Sequence, residues 1–226
     1  MPRFDAAGLF FVHIPKNAGR SVEAALMGAP DPAARGARRP LGRIGTALSR
    51  LAAPALPRTH LMGTLDVALA AQHLTYAEVE ILGLLPPERR HPDDTFCVVR
   101  DPFDRAVSSV THTCGPQKDP AGFERALERW LEAEPSDHNR RAHRRPQAHY
   151  LTDRAGRRAV GHVLRFERLA EEFAALMARR GLAARLPWHG RSRAPGTARA
   201  LYTARARTLV ETAFAEDIDA FGYRFA

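Results

Sequence analysis

The chain has 226 residues, which suits one domain with a substantial core, and its 45% hydrophobic and 26% charged residues are ordinary for a globular protein. A formal net charge of +9 and an isoelectric point near 10.6 favour anionic partners, although abundant alanine leaves compositional bias as an alternative source of the arginine excess. Two cysteines, Cys97 and Cys114, exclude a disulfide framework and fit a reducing compartment.

Leu9-Phe10-Phe11-Val12-His13-Ile14, bounded by Gly8 and Pro15, is a compact apolar run that predicts a buried strand. A loop over residues 15–20 follows, and Ser21 to Met27 begin a helix. From about Gly28 to Pro57 (at the widest, 28–58) the chain is rich in Ala, Pro, Gly and Arg without a sustained period, which predicts a long insertion. Residues 65–85 read as helical in pieces, with Thr75 as N-cap and Glu78 completing a capping box. Thr95 to Val99 is a second buried strand, and Pro102 to Val110 starts a helix behind Asp101. Residues 123–134 predict an amphipathic helix and residues 162–166 a third strand. Residues 167–180 predict a helix stopped by Gly181, and residues 204–214 a last amphipathic helix. Strands alternating with helices argue for one α/β domain over residues 1–226, with a central parallel sheet covered on both faces. The N-terminus lacks the apolar region of a signal peptide, and no stretch approaches the roughly 18 apolar residues of a membrane span. The expected location is therefore cytoplasmic.

Two segments carry chemistry. His13-Ile14-Pro15-Lys16-Asn17-Ala18-Gly19-Arg20-Ser21 leaves a strand and enters a helix, so it offers unpaired backbone N–H groups and the positive helix end. Gly19 permits a close backbone approach, Ser21 can donate a hydroxyl, and Lys16 supplies a mobile charge. The lysine stands early, so this is not a G-x-x-x-x-G-K-[ST] loop, and an ordinary strand–helix turn with a surface lysine is the plain alternative. In the second segment, Val99-Arg100-Asp101-Pro102 and onward to Ser109, Arg100 ends a buried strand at the edge where open α/β sheets bind ligands. Asp101 and Pro102 suit the N-cap and first helical positions, and Ser108 lies two turns on, so that Arg100 and Ser108 can converge on one phosphate. Taken singly, Arg100 reads equally as a salt-bridge residue at the sheet edge. Asp104 and Arg105 read as a solvated pair or as helix support.

The first segment is similar to the PKTGGTS-type 5′-phosphosulfate loop of sulfotransferases that use 3′-phosphoadenosine 5′-phosphosulfate (PAPS). The second resembles their R-D-P-x-x-R-x-x-S segment. The resemblance is to the carbohydrate sulfotransferase branch, which includes the heparan sulfate 2-O-sulfotransferases and short bacterial members. Fainter similarities follow in the same order at Arg145-Pro146-Gln147, at residues 164–169 and at residues 215–223. The resemblance implies a sulfotransferase fold of the P-loop-NTPase-like kind. It also implies that Lys16, Asn17, Ala18, Gly19, Arg20 and Ser21 wrap the 5′-phosphosulfate while Arg100 and Ser108 hold the 3′-phosphate. Arg20 stands where the family usually has threonine, and Asn17-Ala18 replace its common Thr-Gly. Residues 188–193 resemble the family's Asn-containing segment only loosely.

Sulfuryl transfer to a hydroxyl needs a proton acceptor and positive charge at the departing phosphate. Among 10 histidines, His73 is the foremost candidate base, because Gln72 to Tyr76 resembles the family's histidine-bearing segment; His60 is the alternative. His13, inside the first strand, reads as a core or loop-bracing histidine. Lys16 would steady the departing phosphosulfate oxygen. No Asp/His/Cys cluster has metal-ligand spacing, so no metal is expected. The implied partners are PAPS, its product 3′-phosphoadenosine 5′-phosphate (PAP), and a hydroxyl acceptor, expected to be a carbohydrate. The basic run 139–145 faces an acidic acceptor or cofactor, or is a solvated helix face. Competing readings are a small kinase, disfavoured by the absent Walker spacing, and a nucleotide-binding, catalytically silent relative. A basic nucleic-acid-binding protein is the other alternative, although no binding motif is recognisable and no nucleic-acid partner is expected.

Overall fold

The structure is a computed structural model that describes residues 3–4, 8–27, 73–85, 90–135, 138–183, 186 and 197–225. The predicted insertion, His60 and residues 188–193 lie outside the described residues. Among the described residues, four strands form one sheet in the order β1 (Arg3–Phe4), β2 (Leu9–Val12), β3 (Thr95–Val99), β4 (His162–Arg165). β2, β3 and β4 are parallel, with Val12 opposite Cys97 and Val99 opposite Arg165, and β1 adds an antiparallel edge that the sequence reading missed. β2 and β3 are buried at every residue, which is why they read as unbroken apolar runs instead of alternating ones.

Among the described residues, the helices are α1 (Gly19–Met27), α2 (Tyr76–Ile81), α3 (Pro102–Cys114), α4 (Pro120–Glu132), α5 (His138–Arg144), α6 (Leu169–Arg179), α7 (Ala204–Ala213) and α8 (Ala215–Phe221). Leu9, Phe11, Phe96 and Val98 project to one sheet face, where they pack with Val22 of α1 and with Leu169, Phe173, Leu176 and Met177 of α6. Phe10, Val12, Cys97 and Val99 project to the other, against Tyr76 and Val79 of α2, Tyr150, and Phe221 of α8. Both faces are therefore covered, as expected. Burial pushes the Cys97 thiol up to about 12, in keeping with a small core residue. Beside the sheet, α3, α4 and α7 form a third apolar cluster around Phe103, Val110, Phe123, Trp130 and Val210.

Local signals fix the helix starts. The capping box is present: Thr75 Oγ1 accepts from Glu78 N–H at 3.1 Å and Glu78 Oε2 from Thr75 N–H at 2.7 Å. The predicted Asp101 cap is also present, its Oδ1 accepting from Phe103 N–H at 2.8 Å ahead of Pro102. α4 begins a turn earlier than predicted, because Asp119 caps it through Gly122 N–H at 2.7 Å and Pro120 takes the first position. α3 runs one turn past Val110, and α8 is an unpredicted helix whose end is set by Gly222 at φ 65°. Among the described residues no helix is long and apolar enough to cross a membrane.

Candidate functional site

The loop between β2 and α1 has an unusual backbone. Lys16 and Ala18 adopt φ of 69° and 60°, whereas Asn17 and Gly19 keep negative φ. Left-handed backbone costs roughly 1–2 kcal/mol per non-glycine residue, and such strain concentrates at functional sites. Alternating φ signs turn successive N–H groups into one concavity, the backbone nest that binds anions. The first turn of α1 closes through Ser21 N–H and Val22 N–H to the Ala18 carbonyl at 2.9 and 3.2 Å. Burial, with the nearby Arg20 and Arg100 charges, lowers the Lys16 ammonium to about 8.

Glycine is required at 19 for a reason different from the one the sequence suggested. A Cβ there would lie 1.8 Å from His13 Nε2. The His13 ring is buried and held by Glu23 Oε1, which accepts from Nδ1 at 2.8 Å, so it braces the loop from below as expected. Gly19→Ala should accordingly lower the urea midpoint by an amount equivalent to about 1–3 kcal/mol. The companion His13→Ala should recover part of that loss in the double variant. Full additivity of the two losses would show that ring and backbone do not meet.

Arg100 leaves the end of β3 beside this loop. Its Nη1 donates to the Lys16 carbonyl at 3.2 Å, and its guanidinium lies 4.1 Å from the centre of the Phe166 ring. Its Nε is buried without a partner, while the charges of Asp104, Glu167 and Asp101 act on the guanidinium and partly offset its burial. The orphaned Nε leaves a donor for an anion. Ser108 is half-buried and shares a face of α3 with Arg105 and His112, at i+3 and i+7 from Arg105.

Buried groups join the two segments. Gln147 accepts from Asn17 Nδ2 at 2.7 Å and from Arg100 N–H at 2.9 Å, and it donates to the Arg100 carbonyl at 2.8 Å and to Asp217 Oδ2 at 3.1 Å. Asn17 Nδ2 also donates to the Val98 carbonyl at 2.7 Å, so this side chain ties the loop to β3, while its buried Oδ1 has no partner. Arg105 is not a solvated residue. It is fully buried, and its guanidinium donates to the carbonyls of Pro15 at 3.3 Å and Arg145 at 3.1 Å while lying 3.8 Å from Asp217. Asp104 is buried too, paired with Arg199 at 3.3 Å. Glu167 accepts from Asp101 N–H at 2.8 Å and from the Tyr223 hydroxyl at 3.0 Å. Gln147, Glu167 and Asp217, one from each of the three segments of fainter similarity, thus join a network around Arg100 and Asp101.

His73 lies at the start of the segment leading to α2, buried against the same loop. Its Nδ1 is 2.9 Å from the His13 carbonyl, an obligate acceptor, so the proton sits on Nδ1 and Nε2 keeps a free lone pair. Burial and the neighbouring imidazoles His13 and His143 lower its pKa to about 2. The sequence reading missed its neighbours: His143 of α5 meets His73 edge-on at 5.6 Å, and His112 of α3 stacks on His143 at 5.4 Å. The i, i+7 spacing of Arg105 and His112 was the available signal. For the basic run 139–145 the structure gives a divided answer. His143 is buried and Arg145 pairs with both Glu78 oxygens at 2.9 Å, whereas Arg141 is exposed.

Lys16, Ala18, Gly19, Ser21 and Arg100 thus gather at the carboxyl end of two adjacent parallel strands. His73 lies beneath them, and exposed Arg20 stands at the rim. Comparison with protein-family models, curated proteins and solved structures finds no match to this chain. Its α/β architecture and site are accordingly read from its own residues. Among the described residues, no group of three or more His, Cys, Asp or Glu side chains is placed to hold a metal ion.

Proposed function

We propose that the chain is a PAPS-dependent sulfotransferase acting on a hydroxyl, with a carbohydrate as the acceptor class. The observation that carries this reading is the junction of the two anion-directed segments, Arg100 Nη1 against the Lys16 carbonyl at 3.2 Å. Nucleotides bearing phosphates at both ends need cations and N–H donors grouped in this way at a sheet's carboxyl edge. The orphaned, buried Nε of Arg100 and the alternating backbone of residues 16–19 fit such a ligand. Lys16, the N–H groups of residues 17–20 and the Ser21 hydroxyl would hold the 5′ end, with Arg100 and Ser108 at the 3′-phosphate. When bound, PAPS would supply the sulfuryl group, its sulfur–oxygen bond breaking as the acceptor oxygen bonds to sulfur. His73 Nε2 would accept the hydroxyl proton, and Lys16 would neutralise charge on the departing oxygen. The imidazole fixed by the His13 carbonyl is already the neutral tautomer that a base requires, but with a pKa of about 2 in the free protein it is a weak acceptor, so its role requires the bound anion's charge to raise its basicity.

Calorimetric titration with PAP and with adenosine 5′-phosphate tests the assignment. Arg100→Ala should weaken PAP by roughly 10- to 100-fold, the worth of a charged hydrogen bond, and leave the shorter nucleotide nearly unchanged. Equal losses for the two nucleotides refute the 3′-phosphate role. A wild-type chain that binds neither, and transfers no label from sulfur-labelled PAPS, removes the proposed function.

A further inference from the structure

Two site histidines have no part in the chemistry above. His143 is buried, and its Nδ1 lies 2.8 Å from the Asn139 carbonyl, so the proton sits there and Nε2 is left as an acceptor. His112, in the last turn of α3, is exposed and stacks on it with the rings 10° from parallel. The groups that act on the pair from each neighbouring element are cations or imidazoles. Lys16 and Arg20 act on His112 from the loop and α1. His112 itself, then Lys16 and Arg105, act on His143, which also meets His73 edge-on, so a proton on one ring of the pair opposes a proton on the other. The free protein therefore holds the pair neutral: burial and these charges lower His143 to about 4 and lower His112 as well.

A dianion seated on the loop reverses this balance. It neutralises Lys16 and Arg20, the charges that repel a proton from the rings, and adds attraction of its own. We propose that His112 and His143 form a second, proton-accepting half of the anion site, which becomes charged when a tetrahedral oxyanion occupies the Lys16 loop. The inference rests on the reading of that loop as an oxyanion cradle, and it does not require the nucleotide. The pair adds positive charge only when the ligand is present, and an empty site is spared two more cations beside Lys16. The linkage has a definite sign. A group whose pKa rises on binding takes up a proton, so affinity must increase as pH falls, by at most tenfold per pH unit for each proton taken up.

Inorganic sulfate is the probe, because it stays a dianion over the pH range concerned. Sulfate is titrated into the full chain at constant ionic strength, in buffers of different ionisation enthalpy, from about pH 7.5 to about pH 5.5. The expected result is net proton uptake and a several-fold gain in sulfate affinity toward the acid end. His112→Gln, at an exposed position, should at least halve the uptake, and His143→Gln should remove most of it. Affinity that does not vary with pH, absence of sulfate binding, or undiminished uptake in both variants overturns the proposal. A parallel PAP titration separates the two readings. Sulfate binding with uptake but no PAP binding leaves the histidine pair standing and sinks the nucleotide reading. PAP binding with proton-silent sulfate binding does the reverse.

Discussion

Arg105→Met is expected to cost about 3–5 kcal/mol of folding stability, read as a fall in the urea midpoint at unchanged slope. Methionine keeps much of the stem volume but removes every donor. Asp217 would be left buried beside a lost guanidinium that now stands 3.8 Å away, and the carbonyls of Pro15 and Arg145 would lose their partners at 3.3 and 3.1 Å. Breaking one side of a buried pair is costly because the remaining charge has no water to turn to. Neutralising the other side as well, in Arg105→Met/Asp217→Asn, should lose less than the sum of the single variants, since the amide is no longer an unpaired charge. A loss below about 1 kcal/mol for Arg105→Met, the range of an exposed pair, would mean that this guanidinium does not clamp the loop. The same variant should weaken anion binding, because Pro15 is the residue from which the Lys16 loop departs.

Arg105 also illustrates where sequence reasoning stops. Arg105 and Asp104, adjacent and opposite in charge on an amphipathic helix, look like a surface pair, and nothing local says otherwise. Their burial depends on Asp217, more than a hundred residues away, and on Arg199, both brought in by the C-terminal segment. β2, β3, the capping box at Thr75 and the Asp101 cap were legible because each depends on neighbours in the chain. Lys16 and Arg100 were legible as cations at strand ends from residue type and position, and the structure brings them together. Gln147 was visible only as a fragment of a resemblance, because its four hydrogen bonds join three segments that no periodicity connects. Gly19 was recognised but for the wrong neighbour: the ring that forbids a Cβ belongs to His13, six residues earlier. His73 was singled out, but the histidine row fell outside the reading for a similar reason, since His73, His112 and His143 come from three separate elements and nothing local connects them.

Lys16→Ala should reduce sulfuryl transfer by roughly 10²–10³-fold, the usual cost of removing one donor from a charge-stabilising site. Folding should scarcely change. The ammonium has no carboxylate within 4 Å among the described residues, and the contact that holds Arg100 is made by the backbone carbonyl, which alanine retains. Melting temperature and transfer rate should therefore separate in this variant. The pH dependence provides an independent check. Burial and the Arg20 and Arg100 charges hold the lysine near 8, so the free site carries its full charge below that value and loses it above. An anion binds the charged form, so PAP affinity in the wild type should fall as pH rises through about 8, with the midpoint displaced upward in the complex because the bound phosphate favours the ammonium. In Lys16→Ala that alkaline limb should disappear while the acid side persists, since the acid side belongs to the imidazoles and to the nucleotide's own phosphates. Wild-type turnover in the variant would remove Lys16 from the chemistry. An unchanged alkaline limb would assign the titration to another group.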